Sequence, residues 1–230
     1  MSLQTYIDML HKEFDNGTNN HLQHNDNPKY WELLVGDIQQ NPEEFADKVA
    51  LDFGCGKGRN VTNMLSLANF KRVDGVDISI DNINYCNNAY QFQNSDFYLN
   101  NGTDLQDLKS NEYDFVMSTI VFQHLCVHEL RYALKQEICR VLKPGGIFNF
   151  QMGYGSMEWK GNNTVYPYYE NHYDAMSSNS AHDVRIENVE DLISDLTKIG
   201  FNDIKYFIEK PFSNGGHPNW IYVQCKKASS

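Results

Sequence analysis

The sequence has 230 residues, of which 41% are hydrophobic and 21% charged, a composition typical of one globular domain. The 19 basic and 30 acidic residues give a formal net charge of -11; because nucleic acids and anionic membranes are normally bound by clustered Lys and Arg, this balance disfavours both partners and favours a small molecule. The five cysteines form no Cys-x-x-Cys pair, so we expect neither disulfides nor a zinc ribbon. Neither a signal peptide nor an apolar run of about 18 residues is visible, so we expect a cytoplasmic protein.

The first 45 residues predict an N-terminal helical cap. Tyr6, Met9 and Leu10 indicate a short helix, and the Asn- and Gly-rich segment 16–20 predicts a turn. A second helix is predicted after this turn from apolar residues three to four positions apart, namely Trp31, Leu34, Val35 and Ile38.

Residues 46–152 alternate between short apolar runs and amphipathic stretches, which predicts a core of strands and helices. The predicted strands are 49–53, 73–77, 97–99, 115–117 and 147–150. The predicted helices are 60–67, 80–90 and 127–142. Alternation of this kind is typical of a parallel sheet with helices on both faces.

The pattern lapses between residues 153 and 188, where tyrosines lie among Gly, Asn and Ser. We interpret this segment as an aromatic-rich substrate insertion, although a surface loop that packs on itself is the alternative. Residues 189–230 then predict a helix that ends at Gly200 and two antiparallel strands near 204–208 and 220–225. The whole chain therefore predicts one α/β domain, a doubly wound Rossmann-like sheet of seven strands, mostly parallel with an antiparallel C-terminal pair.

A glycine-rich segment, Asp52-Phe53-Gly54-Cys55-Gly56-Lys57-Gly58, directly follows the first predicted strand. Glycines allow backbone conformations and close ligand approach that a Cβ would block, and amides at a helix start can face polar ligand groups. The spacing differs from a dinucleotide fingerprint, whose third glycine would fall at Arg59, and no Gly-Lys-Ser/Thr follows as in a Walker loop. A plain strand-to-helix turn is the alternative.

Asp77 ends the second predicted strand, where such folds place an acid that binds ribose hydroxyls. A carboxylate can accept both hydrogen bonds of a vicinal diol. The alternative is a helix N-cap, a role that Ser79 can fill instead.

These motifs, together with Val141-Leu142-Lys143-Pro144-Gly145-Gly146, resemble the class I S-adenosylmethionine-dependent methyltransferases over residues 48–151. The resemblance implies S-adenosylmethionine as cofactor and S-adenosylhomocysteine as product. It implies that Asp52 and the glycines face the methionine part, that Asp77 holds the ribose, that Ile78 packs on the adenine and that Asp104 reaches the adenine amine, although Thr103 interrupts the usual Gly-Asp there. The implied cofactor-binding residues are Asp52, Gly54, Cys55, Gly56, Gly58, Asp77, Ile78, Thr103, Asp104 and Ser118.

The segment 118–125 follows the fourth predicted strand and should line the site, because ligands bind beyond the carboxyl ends of such strands. The resemblance places Gln123 and His124 nearest the acceptor. His124 can act as a general base toward a hydroxyl acceptor, or it can merely cap or pack the helix start. His124 and His128 are spaced i, i+4, but no third ligand is evident and we predict no metal.

The predicted function is methyl transfer to a small-molecule acceptor, with a hydroxyl favoured over an amine. The alternatives are a methyltransferase acting on tRNA or protein and a non-catalytic cofactor-binding partner protein. No nucleic-acid or membrane partner is expected, and both a monomer and a homodimer remain open. The sequence does not name the acceptor.

Overall fold

The computed structural model describes residues 1–15, 28–156, 164–177, 182–210 and 217–229. The turn predicted at 16–20, the side chains of Trp31 and Trp159, and most of the link before the last strand lie outside the described residues. Within those ranges, no helix is both long enough and apolar enough to cross a membrane.

Helices and strands alternate through the described chain. The helices are α1 Leu3–Asp15, α2 Pro28–Gln40, α3 Arg59–Leu67, α4 Ile80–Ala89, α5 His128–Val141 and α6 Val189–Ile199. The strands are β1 Val49–Phe53, β2 Arg72–Asp77, β3 Phe97–Leu99, β4 Tyr113–Ser118, β5 Leu142–Tyr154, β6 Thr164–Pro167, β7 His182–Ile186, β8 Phe201–Glu209 and β9 Asn219–Lys227. Short 3₁₀ helices lie at Pro42–Phe45, Phe122–His124 and Ala175–Ser177.

The strands form one twisted sheet in the order β3-β2-β1-β4-β5-β7-β6. These neighbours pair in parallel, while β9 runs antiparallel to β5 and β8 antiparallel to β9. The predicted doubly wound α/β fold with an antiparallel C-terminal pair is therefore confirmed. Because β1, β2 and β4 are parallel neighbours, their carboxyl ends at Phe53, Asp77 and Ser118 open on one edge of the sheet.

Two strands, β6 and β7, extend the sheet beyond the seven expected. Both lie in the segment 153–188, where periodicity indicated no regular structure. Strand β9 pairs with one edge of β5 along residues 147–154. The other edge of β5 is shared: β4 pairs with residues 147–150, and β7 pairs with Gly153 and Tyr154. Strand β7 thus lies just beyond the carboxyl end of β4. Polar Asp183 and Arg185 alternate with apolar Val184 and Ile186, but the strand is only five residues long, so this alternation is too short to stand out in the sequence.

Two apolar clusters cover the two faces of the sheet. The larger one joins α1, α5 and α6 to Leu51, Val116 and Phe148. The other joins α2 and α3 to Ala50, Phe115 and Met117. Neighbouring residues of β1 and β4 therefore alternate between the two clusters, as a sheet covered on both sides requires.

Helix α5 ends at Val141, one residue earlier than predicted, because Leu142 already has extended dihedral angles. The segment Lys143 to Gly146 lies at the start of β5 rather than in a helix cap. Gly145 does have a positive φ of 76°. The glycines thus turn the chain into the strand instead of closing the helix.

Candidate active site

The glycine-rich loop between β1 and α3 has left-handed backbone at three positions. Gly54, Gly56 and Gly58 have φ angles of 76°, 53° and 78°, a region that other residues adopt only with strain. A Cβ at Gly54 would lie 2.2 Å from Val121 Cγ2, and one at Gly58 would lie 2.7 Å from Tyr90 Cε2. A Cβ at Gly56 would meet no atom within 4 Å. The loop therefore packs tightly at its two ends and leaves open space at its middle glycine.

This difference predicts separable effects for two substitutions. Gly56→Ala should lower the free energy of unfolding by only about 1–2 kcal/mol, the cost of left-handed backbone, yet weaken binding of a ligand seated against the loop. Gly54→Ala should destabilise the fold itself, because Val121 cannot move aside without disturbing the adjacent turn. Thermal denaturation and isothermal titration with S-adenosylmethionine measure both quantities. Unchanged affinity in Gly56→Ala would show that the open space is not a ligand site.

Asp52 lies beneath this loop on β1 and is completely buried. Neither carboxylate oxygen has a hydrogen-bond partner among the described residues. Burial raises the pKa of Asp52 to about 7; Asp77 adds to this shift, and Arg59 and the Asn60 side chain oppose it. A buried carboxyl group with so little compensation is costly, so it fits a ligand that brings a donor or a positive charge, such as an ammonium group.

Asp77, at the end of β2, joins the glycine loop to the start of α4. Its Oδ2 accepts a hydrogen bond from Gly56 N at 2.8 Å, and its Oδ1 accepts from Ser79 N and Asn82 Nδ2. Ser79, not Asp77, caps α4 by accepting from Asn82 N. Burial raises the pKa of the Asp77 carboxyl, while these donors oppose the shift. Since a carboxylate has about four acceptor positions, it retains capacity for a ligand hydroxyl.

Helix α1 lies along the rim beside Ile78. Both ring nitrogens of His11 face backbone carbonyls, that of Ile78 at 3.0 Å and that of Asn101 at 3.4 Å. A Cβ at Gly102 would lie 2.7 Å from Ile7 Cγ2 and 3.3 Å from Ile78 Cδ1. Helix α1 thus covers the space between β2 and the loop after β3.

Thr103 and Asp104 form a hydrogen-bonded turn with Asn101. The Asn101 Oδ1 accepts from Thr103 N and Asp104 N, and Asn101 Nδ2 donates to Asp104 Oδ1 at 2.9 Å. Asp104 Oδ1 also accepts from Gln106 N. The carboxylate of Asp104 therefore serves its own loop, and its contact with adenine stays a prediction.

The turn after β4 brings Ser118, Gln123 and His124 to the same edge as the glycine loop. Ser118 and Gln123 are almost fully buried, and Ser118 Oγ and Gln123 Oε1 have no hydrogen-bond partner within the described chain. Thr119 Oγ1 accepts a hydrogen bond from Asn60 Nδ2 at 2.9 Å, which ties this turn to α3. Unpaired polar atoms thus surround the region between the loop and the turn.

His124 is paired with a carboxylate that the sequence did not single out. His124 Nδ1 lies 2.7 Å from Asp183 Oδ1, and His217 Nε2 lies 3.4 Å from Asp183 Oδ2. Arg185 Nε donates to His217 Nδ1 at 3.0 Å, which leaves the His217 proton on Nε2, toward Asp183. Although burial opposes ionisation of Asp183, the two imidazoles lower its pKa to about 2. An ionised carboxylate therefore orients the His124 ring.

Other contacts fix the backbone around His124. Tyr6 on α1 accepts a hydrogen bond from Cys126 N at 2.7 Å. The fully buried Arg131 donates to the carbonyl oxygens of Leu125 and Tyr168. Because these partners come from α1, α5 and the inserted segment, three separate parts of the chain hold the turn in place.

His128 points to a different set of partners from His124. Its Nε2 lies 2.8 Å from Asp195 Oδ2, which also accepts from Tyr168 OH. His128 begins α5, whereas His124 ends the 3₁₀ helix before it. Within the described residues no group of three His, Cys, Asp or Glu side chains could hold a metal ion.

Residues 51–150 match a family model described as a methyltransferase domain. No curated protein matches the chain.

Several solved structures share the fold at low sequence identity. An S-adenosylmethionine-dependent methyltransferase from Methanosarcina mazei is 16% identical with a TM-score of 0.62, covering 82% of this chain and 97% of that one. A Haloferax volcanii protein solved with the Trm112 methyltransferase activator is 15% identical with a TM-score of 0.65, covering 94% and 98%. Phosphoethanolamine N-methyltransferase 2 from Haemonchus contortus, bound to S-adenosyl-L-methionine, is 16% identical with a TM-score of 0.62, covering 97% and 57%.

The matched domain contains the glycine loop, Asp77 and the turn that carries His124, so the match covers the same segment as the candidate site. The fold shared with the solved structures extends over most of the rest of the chain. Residues 51–150 therefore form a methyltransferase domain, and the chain has the fold of S-adenosylmethionine-dependent methyltransferases.

Proposed function

We propose that the enzyme methylates a hydroxyl group of a small-molecule acceptor, with His124 as the general base. The observation that carries this proposal is the 2.7 Å contact between His124 Nδ1 and the ionised Asp183 carboxylate. The negative charge of Asp183 beside Nδ1 favours the tautomer with the proton on Nδ1, which leaves Nε2 to accept a proton. An amine acceptor needs no such group when it arrives neutral, whereas a hydroxyl must lose its proton near the transition state.

The residues present fit S-adenosylmethionine as cofactor. Asp52 is a buried carboxyl whose charge is poorly compensated, suited to the ammonium group of the methionine part. Gly56 leaves open space beside the loop, and Asp77 keeps one acceptor position for a ribose hydroxyl. The bound cofactor supplies an electrophilic methyl group.

The chain's own residues would then align the acceptor and remove its proton. Asp183 lies beside His217, which Arg185 holds in place, and keeps the His124 ring in one orientation. Gln123 Oε1, buried and unpaired within the described chain, can accept a hydrogen bond from the acceptor. Helix α1 and the strands β6 and β7 cover the site and reduce access of water.

An acceptor screen with methyl-labelled S-adenosylmethionine tests this function. Pairs of phenols and anilines, and of aliphatic alcohols and amines, should be offered with a small-metabolite extract, bulk tRNA and protein as further arms. We expect label in a small molecule as an O-methyl group. An N-methyl product, or label confined to tRNA or protein, would contradict the proposal. Cofactor binding without transfer to any arm would instead favour a non-catalytic binding protein.

A further inference from the structure

Strand β8 has one backbone edge that pairs with no other strand of the described chain. It runs antiparallel to β9, and no second partner appears in the sheet. Its side chains are mostly exposed after the buried Phe201. An open strand edge is a template for pairing with another strand unless charges or bulges protect it.

The second half of β8 exposes three consecutive apolar residues. Tyr206, Phe207 and Ile208 have 41%, 52% and 39% of their surface exposed. The bulge of β8 lies earlier, between Asn202 and Lys205. From Lys205 to Glu209 the strand is regular, so this half keeps the geometry needed for pairing.

The order of residues around Phe207 is self-complementary. If a second strand of the same sequence runs antiparallel with Phe207 at the centre, Phe207 faces Phe207, Tyr206 faces Ile208, and Lys205 faces Glu209 twice. Directly opposed residues of antiparallel strands share a face, and aromatic, apolar and opposite-charge pairs are stabilising there. We propose that two copies of this chain form a twofold dimer through their β8 edges, centred on Phe207.

Neighbouring registers lack this match. Centring the pair on Tyr206 places Asp203 opposite Glu209, which are like charges, and Lys205 opposite Phe207. Centring it on Ile208 places Phe207 opposite Glu209. Lys205 therefore disfavours pairing with unrelated strand edges and specifies one register. Because the twofold arrangement uses both open edges, assembly ends at two copies.

The proposed interface is separate from the active site. Strand β8 is joined to the core through β9 and β5, whereas the glycine loop and the His124 turn follow β1 and β4. Each copy therefore contains a complete site. Dimerisation should leave methyl transfer unchanged, and failure of the proposed acceptor chemistry would not affect this inference.

Disulfide trapping tests the register directly. In a Phe207→Cys variant of the full chain, mild oxidation should join two copies through residue 207, because the same position meets itself at a twofold axis. The five native cysteines are all buried, so they should not compete. Tyr169→Cys, at an aromatic residue of similar exposure on another surface (45% against 52%), is the matched control and should stay uncrosslinked under the same conditions.

Charge reversal tests the same register without covalent trapping. Lys205→Glu or Glu209→Lys alone should weaken dimerisation by about tenfold, since each creates two like-charge pairs. The double variant Lys205→Glu/Glu209→Lys should restore it. Sedimentation equilibrium across micromolar concentrations measures the change. Three results would each overturn the proposal. The wild-type chain could stay monomeric, or the Phe207→Cys variant could fail to crosslink more than the control. The double variant could also dimerise no more tightly than either single variant.

Discussion

Replacing Asp52 with Asn is expected to stabilise the cofactor-free enzyme at pH 8 and to weaken its affinity for S-adenosylmethionine. Burial raises the pKa of Asp52 from an ordinary value of 3.8 to about 7. Between these values the unfolded chain has lost the proton while the folded chain keeps it. Stability therefore falls as pH rises through this window, and the loss is complete above pH 7.

The Asn side chain has the same shape and carries no charge, so it removes this penalty. At about 1.4 kcal/mol per pKa unit, the variant gains at most about 4 kcal/mol at pH 8 and close to nothing near pH 3. Urea denaturation at several pH values measures this difference. Cofactor affinity should fall by about 10- to 100-fold, because a hydrogen bond to a charged group is lost.

The pH dependence of cofactor binding provides an independent reading. Wild-type affinity should rise as pH increases through 7, when Asp52 ionises, and the Asp52→Asn variant should lack this rise. Asp74→Asn is the matched control, since Asp74 is equally buried but bonded to Arg72 and Tyr113. It should leave cofactor affinity intact at every pH. A destabilised Asp52→Asn variant with normal affinity would show that Asp52 is only structural.

Replacing His124 with Gln is expected to lower kcat on a hydroxyl acceptor by about 10²- to 10⁴-fold, the range of general base catalysis. Affinity for S-adenosylmethionine should stay unchanged, because we propose that the ring acts on the acceptor. Single-turnover methyl transfer, with calorimetry for the cofactor, separates the two quantities. A His124→Gln enzyme with normal kcat would rule out His124 as the base.

Asp183→Asn tests the role of the carboxylate behind His124. An amide can donate to Nδ1 and favour the tautomer with the ring proton on Nε2, so kcat on a hydroxyl acceptor should fall while cofactor affinity is kept. A purely structural role would lower the amount of folded enzyme without lowering kcat per folded molecule. His128→Gln is the control: His128 pairs with Asp195, so that variant should lose stability and keep the wild-type kcat.

The sequence by itself determined the fold class and the glycine loop. Three closely spaced glycines between an apolar run and an amphipathic stretch indicate a turn with left-handed backbone conformation. Gly54, Gly56 and Gly58 have this conformation in the structure. These features are encoded within a few residues, because backbone conformation and strand or helix periodicity are local properties. Asp77 and the turn at Gln123 and His124 follow for the same reason, since parallel strands bring their carboxyl ends to one edge.

The tertiary structure alone decided which groups complete the site. Asp183 meets His124 across 59 positions of sequence only because β7 pairs with β5 beyond the end of β4. His217 reaches Asp183 from the segment before β9. Helix α1 lies over Ile78 because the His11 side chain contacts the backbone carbonyl of Ile78, which is distant in sequence. Such pairings depend on strand register and packing, which no short stretch of sequence specifies.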